Sequence, residues 1–255
     1  MNVEKCILAY FSPTGTTYKV ARTIAEGSGC SITEMDLSKA DCSAELTDNS
    51  VLLAAIPVYG GRVPAVAIER LSRLHGDGQS AVAVAVYGNR EFDDALLELK
   101  DAMEGNGFSV IAAGAFIAEH SIVRSIAAGR PDANDLKIAH QFGTDIIRKL
   151  NSNESLPTVT VPGNNPYVAV KPSAFHPKAD ETCTQCGTCA EKCPVGAIPL
   201  ENPAQTIDSV CINCMRCIQI CPVNSRALPA PFVAGATKML EEKAAGYKTP
   251  QLFGV

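Results

Sequence analysis

Eight of the eleven cysteines fall in two short runs toward the end of the chain. Cys183, Cys186, Cys189 and Cys193, with Pro194 after the last, recur 28 positions later as Cys211, Cys214, Cys217, Cys221 and Pro222. The spacing C-x2-C-x2-C-x3-C-P suits ligation of a cubane of iron and sulfide. Three thiolates at two-residue intervals wrap one face, and the fourth, on the helix that follows, reaches across to the other cluster. Two [4Fe–4S] clusters are therefore expected, one on Cys183, Cys186, Cys189 and Cys221, the other on Cys211, Cys214, Cys217 and Cys193. Paired CxxC motifs also hold zinc, but the third and fourth cysteines, the proline and the duplication favour iron. The scattered Cys6, Cys30 and Cys42 read as ordinary small residues.

A second chemical signal lies near the start. Ser12-Pro13-Thr14-Gly15-Thr16-Thr17 joins a strand to a helix, and hydroxyls at a helix N-terminus make a cradle for a phosphate. Helix capping alone would also use Ser and Thr there. The loop is neither GxGxxG nor a Gly-Lys-Ser/Thr loop, so a single terminal phosphate fits it better than a triphosphate. Two further loops, 57–62 and 88–92, begin where strands should end, on the edge where open α/β sheets bind ligands. His120 follows another strand on that edge and could hand on a proton.

The elements that must position these groups are legible from periodicity. Apolar runs rich in Ala, Val and Ile predict strands at 5–11, 31–36, 51–56, 81–87 and 109–117, buried on both faces of a parallel sheet. Helical patterns fall between them at 18–26, 64–74, 93–104 and 132–150. The fold class expected is α/β, a five-stranded doubly wound parallel sheet over 1–155, followed by a small α+β unit at 181–230. Residues 156–180, with prolines at 157, 162, 166, 172 and 177, form a linker or an arm. In the tail, 231–255, only a short helix near 234–245 is expected.

Charge narrows the partners. The net formal charge is −5, with no basic block to suit nucleic acid. Two clusters with a 2+ core and four thiolates each would take the C-terminal part from +1 to about −3. No apolar run approaches the roughly 18 residues of a membrane span. A cytoplasmic protein is expected, since the opening MNVEKC runs straight into a strand without a signal sequence.

Over about 45 residues the cysteine array resembles the bacterial two-cluster ferredoxins. Residues 4–150 resemble flavodoxins, whose Ser/Thr-x-Thr-Gly-x-Thr phosphate loop is matched by Ser12, Thr14, Gly15 and Thr17. That resemblance implies FMN, its ring enclosed by Pro57, Val58, Tyr59, Gly60 and Gly61 on one side and Tyr87, Gly88, Asn89, Arg90 and Phe92 on the other. Where flavodoxins carry an acidic residue and a stacking tyrosine, this chain offers Asn89 and Phe92, with Arg90 between. An amide and a guanidinium there would make FMN easier to reduce fully. The whole is similar to the flavodoxin–ferredoxin fusion proteins. The implied function is electron transfer with a redox protein as donor or acceptor; turnover of a small molecule (a quinone or nitro compound) and a homodimer stay open.

Overall fold

The computed structural model describes residues 3–152, 156–170 and 173–255; the polar patch at 153–155 and Pro172 lie outside them. Five parallel strands, β1 (Lys5–Tyr10), β2 (Ser31–Asp36), β3 (Ser50–Pro57), β4 (Ser80–Tyr87) and β5 (Ser109–Ile117), stand in the order β2-β1-β3-β4-β5. Helices α1 (Thr16–Gly27), α2 (Ala65–Leu71), α3 (Ala95–Gly105) and α4 (Ala133–Leu150) cross between strands. This is the flavodoxin-like order of a doubly wound sheet, with its switch point between β1 and β3.

Both sheet faces are covered, which is why the strands read as unbroken apolar runs. One face buries Ile7, Leu52, Ala83 and Val110 with Leu71, Leu96 and Leu99; the other buries Leu8, Leu53, Val84 and Phe116 with Ile24 and Phe142. Asp132 caps α4, its carboxylate accepting from the N–H of Asn134 and Asp135.

The proline-rich segment 156–170 is an arm strapped to the sheet domain. The Val159 N–H donates to the Val110 carbonyl at 2.8 Å. The Asp94 carboxylate, 1 % exposed, accepts from the Asn164 N–H and side-chain amide and from the Val168 N–H. Those bonds hold its carboxyl below the usual carboxylate range, Val168 contributing most.

The cysteine-rich unit has a two-stranded ribbon, β6 (Lys178–Ala179) with β7 (Arg226–Ala227), and two short helices, α5 (Thr188–Glu191) and α6 (Arg216–Gln219). Beyond it the tail forms α7 (Ala230–Lys243) and β8 (Gln251–Phe253). The last pairs antiparallel with β5, so the sheet has six strands rather than the five expected. A three-residue strand has no period to betray it, and it covers an otherwise open edge.

Candidate redox centres and cofactor cavity

The eight clustered cysteines surround two separate cavities. One, with about 340 Å³ of empty space, is walled by Cys193, Cys211, Cys214 and Cys217. The other, about 290 Å³, is walled by Cys183, Cys186, Cys189 and Cys221. Each quartet takes three cysteines from one run and the fourth from the other. Every cysteine among the described residues is unpaired, so none of this geometry comes from disulfides.

The thiols differ in setting. Burial pushes Cys214 up to about 12 and Cys217 to about 11; such thiols ionise only when a cation compensates the charge. Burial also lifts Cys221, but bonds from the Ser225 hydroxyl and the N–H groups of Val223, Ser225 and Arg226 outweigh it and bring it to about 7. The Ala197 N–H donates to the Cys193 sulfur at 3.2 Å. Four sulfur donors around a small cavity, with N–H groups directed at sulfur, fit an iron–sulfur cubane.

On the carboxyl edge of the sheet, a cavity of about 450 Å³ lies among Thr14, Thr16 and Thr17, the loop Pro57–Tyr59, Tyr87–Gly88, and His120. Its neighbour, about 740 Å³, shares Thr14 and Thr16 and extends past Lys19 and Arg124 to Met215 and Gln219. Gly15 turns the loop at φ 88°, opening the N-terminus of α1 on this space. The first-turn N–H groups of a helix have no intrahelical partner and favour an anion. The Tyr87 hydroxyl, buried at the wall, has no partner among the described residues. Threonine hydroxyls, a helix N-terminus and an orphaned phenol on this cavity fit a phosphate-bearing compound such as FMN.

Several residues expected at the ring lie elsewhere. Phe92 is 4 % exposed and packs edge-on against Tyr87 in the core, so it is not placed to stack on a ring in the cavity. The Asn89 side-chain amide is spent on the carbonyls of Ala244 (2.6 Å) and Gly246 (3.0 Å). Arg90 pairs with Asp93, which weakens the positive field expected of it. The tail, invisible as a partner in the sequence, has claimed this loop. Gly60 and Gly61 form the turn between Tyr59 and Arg62 at φ 62° and 85°. A Cβ on Gly61 would meet Asp93 Oδ2 at 2.5 Å. Ser12 is also engaged: its hydroxyl accepts from the Tyr18 N–H of the first turn of α1 at 2.9 Å.

His120 does line the cavity. Its Nδ1 accepts from the N–H groups of Ile122 and Val123 at 3.2 and 3.1 Å, which leaves the proton on Nε2. Burial, with Arg90 adding to it, lowers its pKa to about 4. At neutral pH it offers a hydrogen bond from Nε2 and no spare proton, against the proton-donor role expected.

The two units meet where these sites adjoin, a feature no motif announced. From α6, Arg216 donates to the Pro13 carbonyl (3.1 Å) and the Ser38 hydroxyl (3.1 Å), and Gln219 to the Thr14 carbonyl (3.2 Å). From α2, the buried Arg70 donates to the Pro194 carbonyl at 2.7 Å, one residue beyond Cys193. Met215 lines both the Cys193–Cys217 cavity and the 740 Å³ cavity. Tyr59, on the wall of the 450 Å³ cavity, is near enough to Cys214 for that thiol, after burial itself, to push its phenol well above the usual range.

Residues 182–225 match the 4Fe-4S dicluster domain family. No curated protein matches the chain. Among solved structures, a flavodoxin from the domain Archaea is 17% identical over 58% of this chain and 99% of its own, with TM-score 0.45. A WrbA-like flavodoxin from Agrobacterium tumefaciens is 14% identical over 57% and 98%, TM-score 0.44. The rubredoxin oxygen:oxidoreductase of Desulfovibrio gigas is 16% identical over 57% and 36%, TM-score 0.42. The strand order and the matched segment define a flavodoxin-like domain joined to a 4Fe-4S dicluster domain. Among the described residues no helix is long and apolar enough to cross a membrane.

Proposed function

We propose that the chain passes single electrons between two [4Fe–4S] clusters and an FMN, with a separate redox protein as donor or acceptor. The observation that carries this is adjacency: one cysteine quartet and the threonine-lined cavity share the interface made by Met215, Tyr59 and Arg216. Cys183, Cys186, Cys189 and Cys221 would hold one cluster, and Cys193, Cys211, Cys214 and Cys217 the other. The clusters supply one-electron transfer and FMN accepts one or two electrons.

The chain's own residues do the rest. Thr14, Thr16, Thr17 and the N-terminus of α1 receive the phosphate. Pro57, Val58, Tyr59, Tyr87 and Gly88 would wall the ring, and His120 would offer its Nε2–H on the same wall. Arg216 and Gln219 grip the carbonyls of the phosphate loop and so hold the two sites in register. Cys186 is exposed whereas Cys214 is buried, so the Cys183 quartet faces an outside partner and the Cys211 quartet faces the sheet domain.

A second reading, FMN-dependent reduction of a small acceptor, draws on the 740 Å³ cavity with its Lys19 and Arg124. Anaerobically purified protein tests both. The carrier reading expects about eight irons, eight sulfides and one flavin per chain, with no turnover of quinones or nitro compounds. Steady turnover of either acceptor would favour the reductase, and zinc in place of iron would end both.

A further inference from the structure

Arg226 is the most deeply buried charge in the cysteine-rich unit, 2 % exposed. Its Nη1 donates to the Pro177 carbonyl (3.2 Å) and the Thr206 hydroxyl (3.0 Å), and its Nη2 to the carbonyls of Pro203 (2.6 Å) and Gln205 (2.9 Å). No carboxylate pairs with it among the described residues, and its Nε–H has no acceptor there. A buried cation without a counter-charge is strongly unfavourable. Something anionic must offset it.

Its position says what. Arg226 itself lines the cavity of Cys183, Cys186, Cys189 and Cys221. Two of its bonding partners, Pro177 and Thr206, line the cavity of Cys193, Cys211, Cys214 and Cys217. It therefore stands in the partition between the two quartets. The duplication sharpens the point: 28 positions earlier the first repeat places the apolar Ile198, also buried. One guanidinium borders both cavities, and its counterpart in the first repeat is not a cation.

We infer that Arg226 is the shared counter-ion of the two clusters, holding both reduction potentials up, and that the clusters are what neutralises it. This rests on the cluster reading above. A cubane with a 2+ core and four thiolates carries −2, and one-electron reduction to a 1+ core takes it to −3. An adjacent fixed cation in a medium of low dielectric favours the more negative state.

The test is redox titration of the holoprotein followed by electron paramagnetic resonance, with iron and sulfide counted first, in Arg226→Met and Arg226→Lys. Arg226→Met lowers both cluster potentials by about tenfold in the reduction equilibrium, about 59 mV for a one-electron couple. Arg226→Lys, which keeps the charge and gives up part of the bonding, stays near wild type. Unchanged potentials in an iron-replete Arg226→Met, or an equal shift in both variants, overturn the inference. Should Arg226→Met lose its iron while Arg226→Lys keeps it, the need is for charge and the inference stands. Loss in both assigns Arg226 to holding loops alone and overturns it. Wild-type protein without iron would instead refute the cluster reading itself.

Discussion

Replacing Arg70 by methionine removes one of the clasps that hold the two halves together. The guanidinium is 7 % exposed and donates to Leu37 O at 2.8 Å and Pro194 O at 2.7 Å. Methionine keeps most of the apolar stem, so the change is one of bonding and charge. A hydrogen bond from a charged donor contributes about 1.5–3 kcal/mol, and two would suggest up to about 6 kcal/mol. The cation's desolvation cost disappears with it and offsets part of that, leaving a net loss of about 2–3 kcal/mol. At about 2–4 °C per kcal/mol for a chain of this size, calorimetry of the iron-loaded protein should show Tm falling by roughly 4–12 °C. Limited proteolysis should cut earlier between the sheet domain and the cysteine-rich unit. A Tm within about 1 °C of wild type, with unchanged proteolysis, would refute the role given to Arg70 at this interface.

Three other outcomes follow from the structure. His120, with its pKa lowered to about 4 by burial, binds its proton more weakly folded than unfolded. Its contribution is full above about pH 6.5 and declines toward pH 4, on the order of 1–3 kcal/mol in all; denaturant melts of His120→Gln across that window should lose the slope. Asp94→Ala strips three donors of their acceptor and should cost about 3 kcal/mol, exposing the 156–170 arm to protease. Asp94, whose carboxyl is held low, contributes fully above about pH 4, and that stability is lost as pH falls further. Cys193→Ala should halve the iron and spare the cluster of Cys183, Cys186, Cys189 and Cys221; loss of that cluster instead would mean that each run serves itself.

Much of this was legible because two kinds of residue carry unambiguous signals. The buried strands announce themselves as Ala/Val/Ile runs, and β2 and β5 begin and end where periodicity places them. The cysteines declare a spacing that only a few chemistries use. What stayed hidden depends on segments far apart in sequence. Nothing near Asn89 foretells that Ala244 and Gly246 will take its amide, and nothing in the motif around Cys217 marks Arg216 as a clasp on the phosphate loop. Arg226 looks like any basic residue after Cys-Pro until folding sets it between two cysteine quartets. Strand β8 is too short to show alternation, and it exists because the β5 edge offers it partners.

Anaerobic electron paramagnetic resonance of the reduced protein, read beside the flavin absorbance of the same sample, probes the core of this account. Two neighbouring cubanes should give a broadened signal split by mutual magnetic interaction, and the yellow absorbance should bleach with the same reductant. A silent sample, or a single isolated cluster beside a flavin that stays oxidised, would contradict it.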